Sequence, residues 1–300
     1  MNTHWHVLGA GAMGCLFAEV LHRAGCRVTL LPREQRAPGS PARVTVERDG
    51  ELRELLLPTS AAGEASPITR LLVTTKAYDV LPAVGGIAHR LSADSEVLLL
   101  VNGMGMLEQL AADLPAPRWF AGTTTEGAYR IAPLHVRHAG AGVTRIGRHG
   151  QRRPAAWFAC WQHALDDCRW DPDIHTALWH KLAINCAINP LTAVHRCRNG
   201  VLLQRPELSA ELRALCAEIA AVSAAAGHAH IAASLWRDVR TVVAGTARNR
   251  SSMLQDVTAG RATEIEYITG YLLQMARLHR VQAPRNEALF RQLAREPCAP

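Results

Sequence analysis

The sequence predicts an α/β fold: a doubly wound sheet in the N-terminal part, followed by an all-helical C-terminal domain. Three observations carry this reading. Short β-rich runs alternate with helical patterns through the first half. Two of those runs, Leu71 to Thr74 and Val97 to Val101, are continuously apolar, as strands covered on both faces are. Beyond about residue 155, strand signals give way to long helical patterns.

In order, Trp5 to Leu8 reads as a short strand, Met13 to Ala24 as a helix stopped by Gly25, and Arg27 to Leu31 as the next strand. Arg43 to Glu47 and Leu52 to Leu57 flank Asp49-Gly50, a pair that tolerates the positive φ of a tight hairpin. The two apolar runs continue the sheet. Helices are expected over Trp157 to Asp166, Ile174 to Ala187, Pro206 to Ala226, Ala232 to Ala247 and Glu264 to His279. Trp170-Asp171-Pro172-Asp173 reads as a linker, which gives domains of residues 1–169 and 170–300. The tail, Glu296 to Pro300, is expected to fray.

A chain of 300 residues with 48% hydrophobic and 20% charged residues can bury a sizeable core. No apolar run reaches membrane-spanning length, and MNTHWHVLGAGAMG lacks a signal peptide's basic start and apolar core. The expectation is a cytoplasmic protein with no membrane partner. The net charge of +7 is dispersed and aromatics make up 5%, which argues against nucleic acid and for anionic small molecules. The eight cysteines include no C-x-x-C pair, and the fourteen histidines look scattered, so no metal site is expected.

Gly9-Ala10-Gly11-Ala12-Met13-Gly14 is G-x-G-x-x-G between a strand and a helix. In a dinucleotide site Gly9 allows the tight turn, Gly11 lets backbone approach a pyrophosphate, and Gly14 allows close helix–strand packing. Arg33 follows the second strand, 19 residues after Gly14. A guanidinium there suits a 2′-phosphate and so NADPH rather than NADH. Lys76 and Asn102 stand at the ends of the next two strands, where open α/β sheets bind ligands.

Ala177 to Ala193, ALWHKLAINCAINPLTA, is an apolar helical segment with one polar stripe. Lys181, Asn185 and Asn189 recur at i, i+4 and i+8 and span roughly 12 Å along the axis. An ammonium beside a nicotinamide site can stabilise the oxygen of a ketone being reduced and supply its proton. The two amides can hold hydroxyl and carboxylate groups. Ser252 lies in a small polar interruption, Asn249 to Asp256, where it suits either a carboxylate or a helix cap. Glu264 opens the next helix and suits Lys181, the bound alcohol or a ribose.

These pieces together resemble one family, ketopantoate reductase or 2-dehydropantoate 2-reductase. The matching motifs are GAGAMG, TTKAYD around Lys76, NGMG at Asn102, GTTTEGA at Gly122 to Ala128, LWHKLAINCAINPLTA, SSMLQD from Ser251 and TEIEYITGYLL from Thr263. The resemblance implies a Rossmann domain, an all-helical domain and an active site in the cleft. It implies Lys181 as general acid. Asn185, Asn189, Asn199, Asn249 and Ser252 would bind substrate. Gly9 to Gly14, Arg33, Lys76, Asn102 and Ala128 would bind NADPH, with Glu264 between ribose and substrate. The implied reaction is reduction of ketopantoate to (R)-pantoate in pantothenate and coenzyme A synthesis, by a monomer or homodimer. Two alternatives stay open: a paralogue reducing another 2-keto acid, and a non-catalytic NADP-binding sensor. Glu126-Gly127 departs from the uncharged or basic pair expected before Ala128. The segment Pro32 to Pro41, with three prolines and a glycine, leaves the path after Arg33 open.

Overall fold

The computed structural model describes residues 3–33 and 40–294. Residues 34–39, which follow Arg33, and the tail from 295 lie outside the described residues. The chain forms two compact units. One runs to Val101 and resumes over Met106–Ala177; the other comprises Asn102–Gly105 and the chain from Leu178.

The first unit begins β1(His4–Leu8), α1(Ala12–Arg23), β2(Arg27–Leu31), β3(Ala42–Arg48) and β4(Glu51–Leu57). It continues β5(Arg70–Val73), α2(Ala77–Gly85), β6(Glu96–Leu99), α3(Met106–Asp113), β7(Arg118–Thr124), β8(Gly127–Ala132), β9(His135–Gly140) and β10(Thr144–Gly147). It closes with α4(Phe158–Ala164) and β11(Cys168–Trp170). A seven-stranded sheet has the order β11-β10-β7-β6-β5-β1-β2. Its strands β7, β6, β5, β1 and β2 are parallel, and β10 runs antiparallel to β7. β1 lies between β2 and β5, so the winding reverses there, and the glycine motif follows β1 directly. This is the doubly wound arrangement expected.

A second sheet of four strands, β4-β3-β9-β8, was foreseen only in its β3–β4 hairpin. Asp49 (φ 52°) and Gly50 (φ 82°) form the turn with the positive φ their residue types allow. The first unit has an aromatic core. The Trp5 ring meets Trp157 at 5.1 Å and Trp161 at 5.8 Å, edge to face. β11 corrects the expectation that strand signals end at about residue 155: Cys168–Trp170 pairs in parallel with β10.

The helix α5(Ile174–Val194) is followed by α6(Val201–Gln204), α7(Pro206–Ala225), α8(Ala229–Gly245), α9(Ser252–Thr258), α10(Tyr271–Leu278) and α11(Pro284–Ala294). The second unit has its own core, which includes Leu182, Ala183, Cys186 and Ala187 of α5. Trp179 fixes α5 within it. Its indole N–H donates to Ser223 Oγ at 3.0 Å and its ring stacks on His228 at 4.7 Å. The helix expected from Glu264 to His279 is split: a π-turn over Glu266–Gly270 precedes α10. A π-turn holds one residue more than the α-helical turn it replaces, and periodicity does not reveal it.

Candidate active site

In the first unit the glycine motif divides by role. Gly9 has φ +102°, and a Cβ on it would lie 2.7 Å from the Thr75 amide nitrogen. A Cβ on Gly14 would lie 1.8 Å from the Gly9 carbonyl oxygen. Both positions are closed to side chains. A Cβ on Gly11 would meet nothing within 4 Å. Open space at Gly11, at the start of a helix with no acidic residue in its first turn, fits an anionic pyrophosphate. Thr74 braces the turn from β5, its hydroxyl donating to the Gly9 carbonyl at 2.9 Å. Ala10, Ala12, Met13 and Ala128 are partly buried against this unit's core.

Arg33 is 87% exposed in its side chain and pairs with Asp79 of α2 at 3.5 Å. Exposed pairs of this kind contribute at most about 1 kcal/mol, so a guanidinium held this way is easily redirected. Lys76 is half-buried and caps the N-terminus of α2 in an extended conformation.

In the second unit the structure brings Lys181, Glu264 and Asn102 together. Lys181 keeps some solvent access, yet burial lowers its pKa from 10.5 to about 8. The Glu264 carboxylate opposes that shift. Glu264 is 4% exposed, and Asn102 Nδ2 donates to its Oε2 at 3.2 Å. Asn102 is held in turn: Met104 N donates to the Tyr267 carbonyl at 3.0 Å, and a Cβ on Gly103 would lie 2.6 Å from that same oxygen. Asn102, expected among the cofactor residues, thus sits on the carboxylate that attracts Lys181.

Along α5, Asn185 is half-buried and Asn189 is 7% exposed. Asn199 is also 7% exposed. Its backbone N donates to the Asn249 carbonyl at 3.1 Å and its Nδ2 to Thr246 Oγ1 at 2.9 Å, while its buried Oδ1 has no hydrogen-bond partner among the described residues. Asn249 and Ser252 are exposed. Ser252 is the first residue of α9; the cap is Ser251, whose hydroxyl accepts from Leu254 N at 3.1 Å. Sequence reasoning missed Ser251 and its buried partner Thr192. A capping box would have been the signal, but Leu stands at 254 where the box has Glu or Gln.

The departure at Glu126 has a local explanation. Its carboxylate is 5% exposed, pairs with His138 Nε2 at 2.7 Å and accepts from Gly142 N at 3.0 Å. The charge closes the β8–β9 hairpin. Among the described residues, no group of three His, Cys, Asp or Glu is arranged to hold a metal ion, and no helix is long and apolar enough to cross a membrane.

Comparison with known proteins covers both units. The family model for ketopantoate reductase PanE/ApbA matches residues 5–151, and its C-terminal counterpart matches residues 173–296. The chain is 38% identical over 290 residues to 2-dehydropantoate 2-reductase of Vibrio cholerae, covering 96% of this chain and 95% of that one. It is 39% identical over 294 residues to the Shigella flexneri protein of the same name, covering 97% and 94%. Among solved structures, the PanE/ApbA family ketopantoate reductase from Ralstonia eutropha superposes with a TM-score of 0.86 at 25% identity, covering 98% of each chain. A D-mandelate dehydrogenase bound to NADH superposes with a TM-score of 0.80 at 22% identity, a likeness of fold alone.

Proposed function

The chain belongs to the ketopantoate reductase family, and on that premise we propose that it reduces 2-dehydropantoate to (R)-pantoate with NADPH, a cytoplasmic step toward pantothenate and coenzyme A. The observation that carries the reading is the grouping of Lys181 with the buried Glu264, which Asn102 holds by a 3.2 Å hydrogen bond, burial lowering the Lys181 pKa to about 8. An acid with a pKa near the working pH is the efficient proton donor for a developing alkoxide.

A nicotinamide cofactor, held through its dinucleotide by the Gly9 to Gly14 turn, would supply a hydride to the ketone carbon. Lys181 donates a proton to the ketone oxygen, leaving a hydroxyl on the substrate and a neutral amine that solvent reprotonates. Glu264, held by Asn102, favours the ammonium before the step. The amides of Asn185, Asn189, Asn199 and Asn249 and the hydroxyl of Ser252 bind the substrate's carboxylate and hydroxyl. In the first unit, Gly9, Ala10, Gly11, Ala12, Met13 and Gly14 with Lys76 and Ala128 receive the dinucleotide, and Arg33 reads its 2′-phosphate.

The test is NADPH consumption by purified protein with ketopantoate, pyruvate and 2-ketoisovalerate. Strong preference for ketopantoate is expected. Equal rates would overturn the substrate assignment in favour of a general 2-keto acid reductase. Tight NADPH binding without turnover of any of them would make the protein a sensor.

A further inference from the structure

We propose that Thr192 is a positioning residue for substrate binding, acting through a buried hydroxyl relay to Ser251; the proposal rests on the function proposed above. The relay lies wholly within the second unit. Leu254 N donates to Ser251 Oγ at 3.1 Å, and Ser251 Oγ lies 2.7 Å from Thr192 Oγ1. Thr192 Oγ1 is also 3.0 Å from the carbonyls of both Ile188 and Asn189, to which its single proton is directed. The remaining proton in the Ser251–Thr192 contact is therefore the serine's. The chain of donors runs from α9, through Ser251 and Thr192, to the backbone at Asn189.

Each end of this relay adjoins a residue that contacts substrate. Ser251 precedes Ser252, and the Asn189 carbonyl belongs to the residue carrying the third polar side chain of the α5 stripe. The serine needs no second partner to cap α9, since accepting one backbone N–H is the whole of that duty. Its link to Thr192, a side chain with no exposed surface, does something further: it fixes the spacing between α9 and α5. The other end of the 246–251 loop is pinned independently. Asn199 N donates to the Asn249 carbonyl at 3.1 Å, and Gly200 N to the Ala247 carbonyl at 3.0 Å.

Thr192→Val keeps the shape and removes the hydroxyl. It is expected to raise KM for ketopantoate about tenfold, the scale of one misplaced hydrogen bond to a charged group, while kcat and KM for NADPH stay within about twofold. Thr192→Ser is expected to restore KM. If the valine variant fails to fold, Thr192→Cys, a weak donor of similar size, makes the same comparison. An active wild type with unchanged KM in the valine or cysteine variant overturns the relay alone, as does a raised KM that serine does not restore. A wild type inactive on every 2-keto acid overturns the functional reading and the relay with it.

Discussion

Asn102 Nδ2 lies 3.2 Å from Glu264 Oε2, joining the loop after a sheet strand to the carboxylate that draws on Lys181. The bond occupies one oxygen of a carboxylate that is 4% exposed and fixes where its charge stands. Two opposed effects thus set the pKa of Lys181, burial lowering it and Glu264 raising it, with a net value of about 8.

The pH dependence follows in sign. Reduction needs the ammonium, so kcat for ketopantoate reduction should fall as pH rises through about 8. Oxidation of pantoate needs the amine and should rise over the same range. Glu264→Gln removes the influence that raises the Lys181 pKa, so the alkaline limb should move to lower pH. Steady-state kcat measured from pH 6 to 10 checks this; a limb that stays put in the glutamine variant would separate Glu264 from Lys181.

Lys181→Ala should lower kcat by roughly 10²–10⁴, the scale of a lost general acid with its charge stabilisation. Lys181→Met should do the same while raising Tm at pH 7. The folded pKa lies below the unfolded one, so the folded protein carries a desolvation penalty for the ammonium that is present below pH 8 and relieved between 8 and 10.5. Calorimetry of the methionine variant at pH 7 provides the measurement, and an unchanged or lowered Tm would contradict it.

The two glycines of the turn should fail differently. Gly14→Ala forces a Cβ to 1.8 Å from a backbone oxygen and should abolish folding. Gly11→Ala meets no protein atom within 4 Å, so it should keep the wild-type Tm and raise KM for NADPH about tenfold or more, because the methyl stands where the pyrophosphate approaches. Thermal melts paired with NADPH titrations distinguish the two, and equal Tm losses would refute this division of roles.

Arg33→Asp should shift preference toward NADH by about tenfold or more, the loss of a charge-assisted bond plus repulsion of a phosphate. Asp79→Ala, which frees Arg33 from its exposed pair, should tighten NADPH slightly and leave NADH unaffected. The ratio of kcat/KM for the two cofactors reads both variants. No change in either would remove Arg33 from cofactor selection.

Much of the fold was legible because its signals are local. The apolar runs of β5 and β6 and the Gly9 turn announce a buried parallel sheet whatever surrounds them. The second sheet was harder. In β8, residues Tyr129 to Ala132 are exposed, so no buried face marks the strand, and its hairpin depends on the buried Glu126–His138 pair that appears only once the chain is folded. The candidate site divides the same way. Lys181, Asn185 and Asn189 share one helix, and their spacing alone aligns them. Thr192 and Ser251 are 59 residues apart and are made neighbours by packing, and no local pattern shows a hydroxyl meeting a hydroxyl.

The π-turn over Glu266–Gly270 changes the phase of the chain. One extra residue in a turn rotates everything after it by about 100° relative to an unbroken α-helix. The face that α10 buries with Leu272, Leu273 and Ala276 is therefore out of step with the position of Glu264. Deleting a single residue from 266–270 would restore the α-helical frame, and either the core of the second unit or the aim of the Glu264 carboxylate would then be lost.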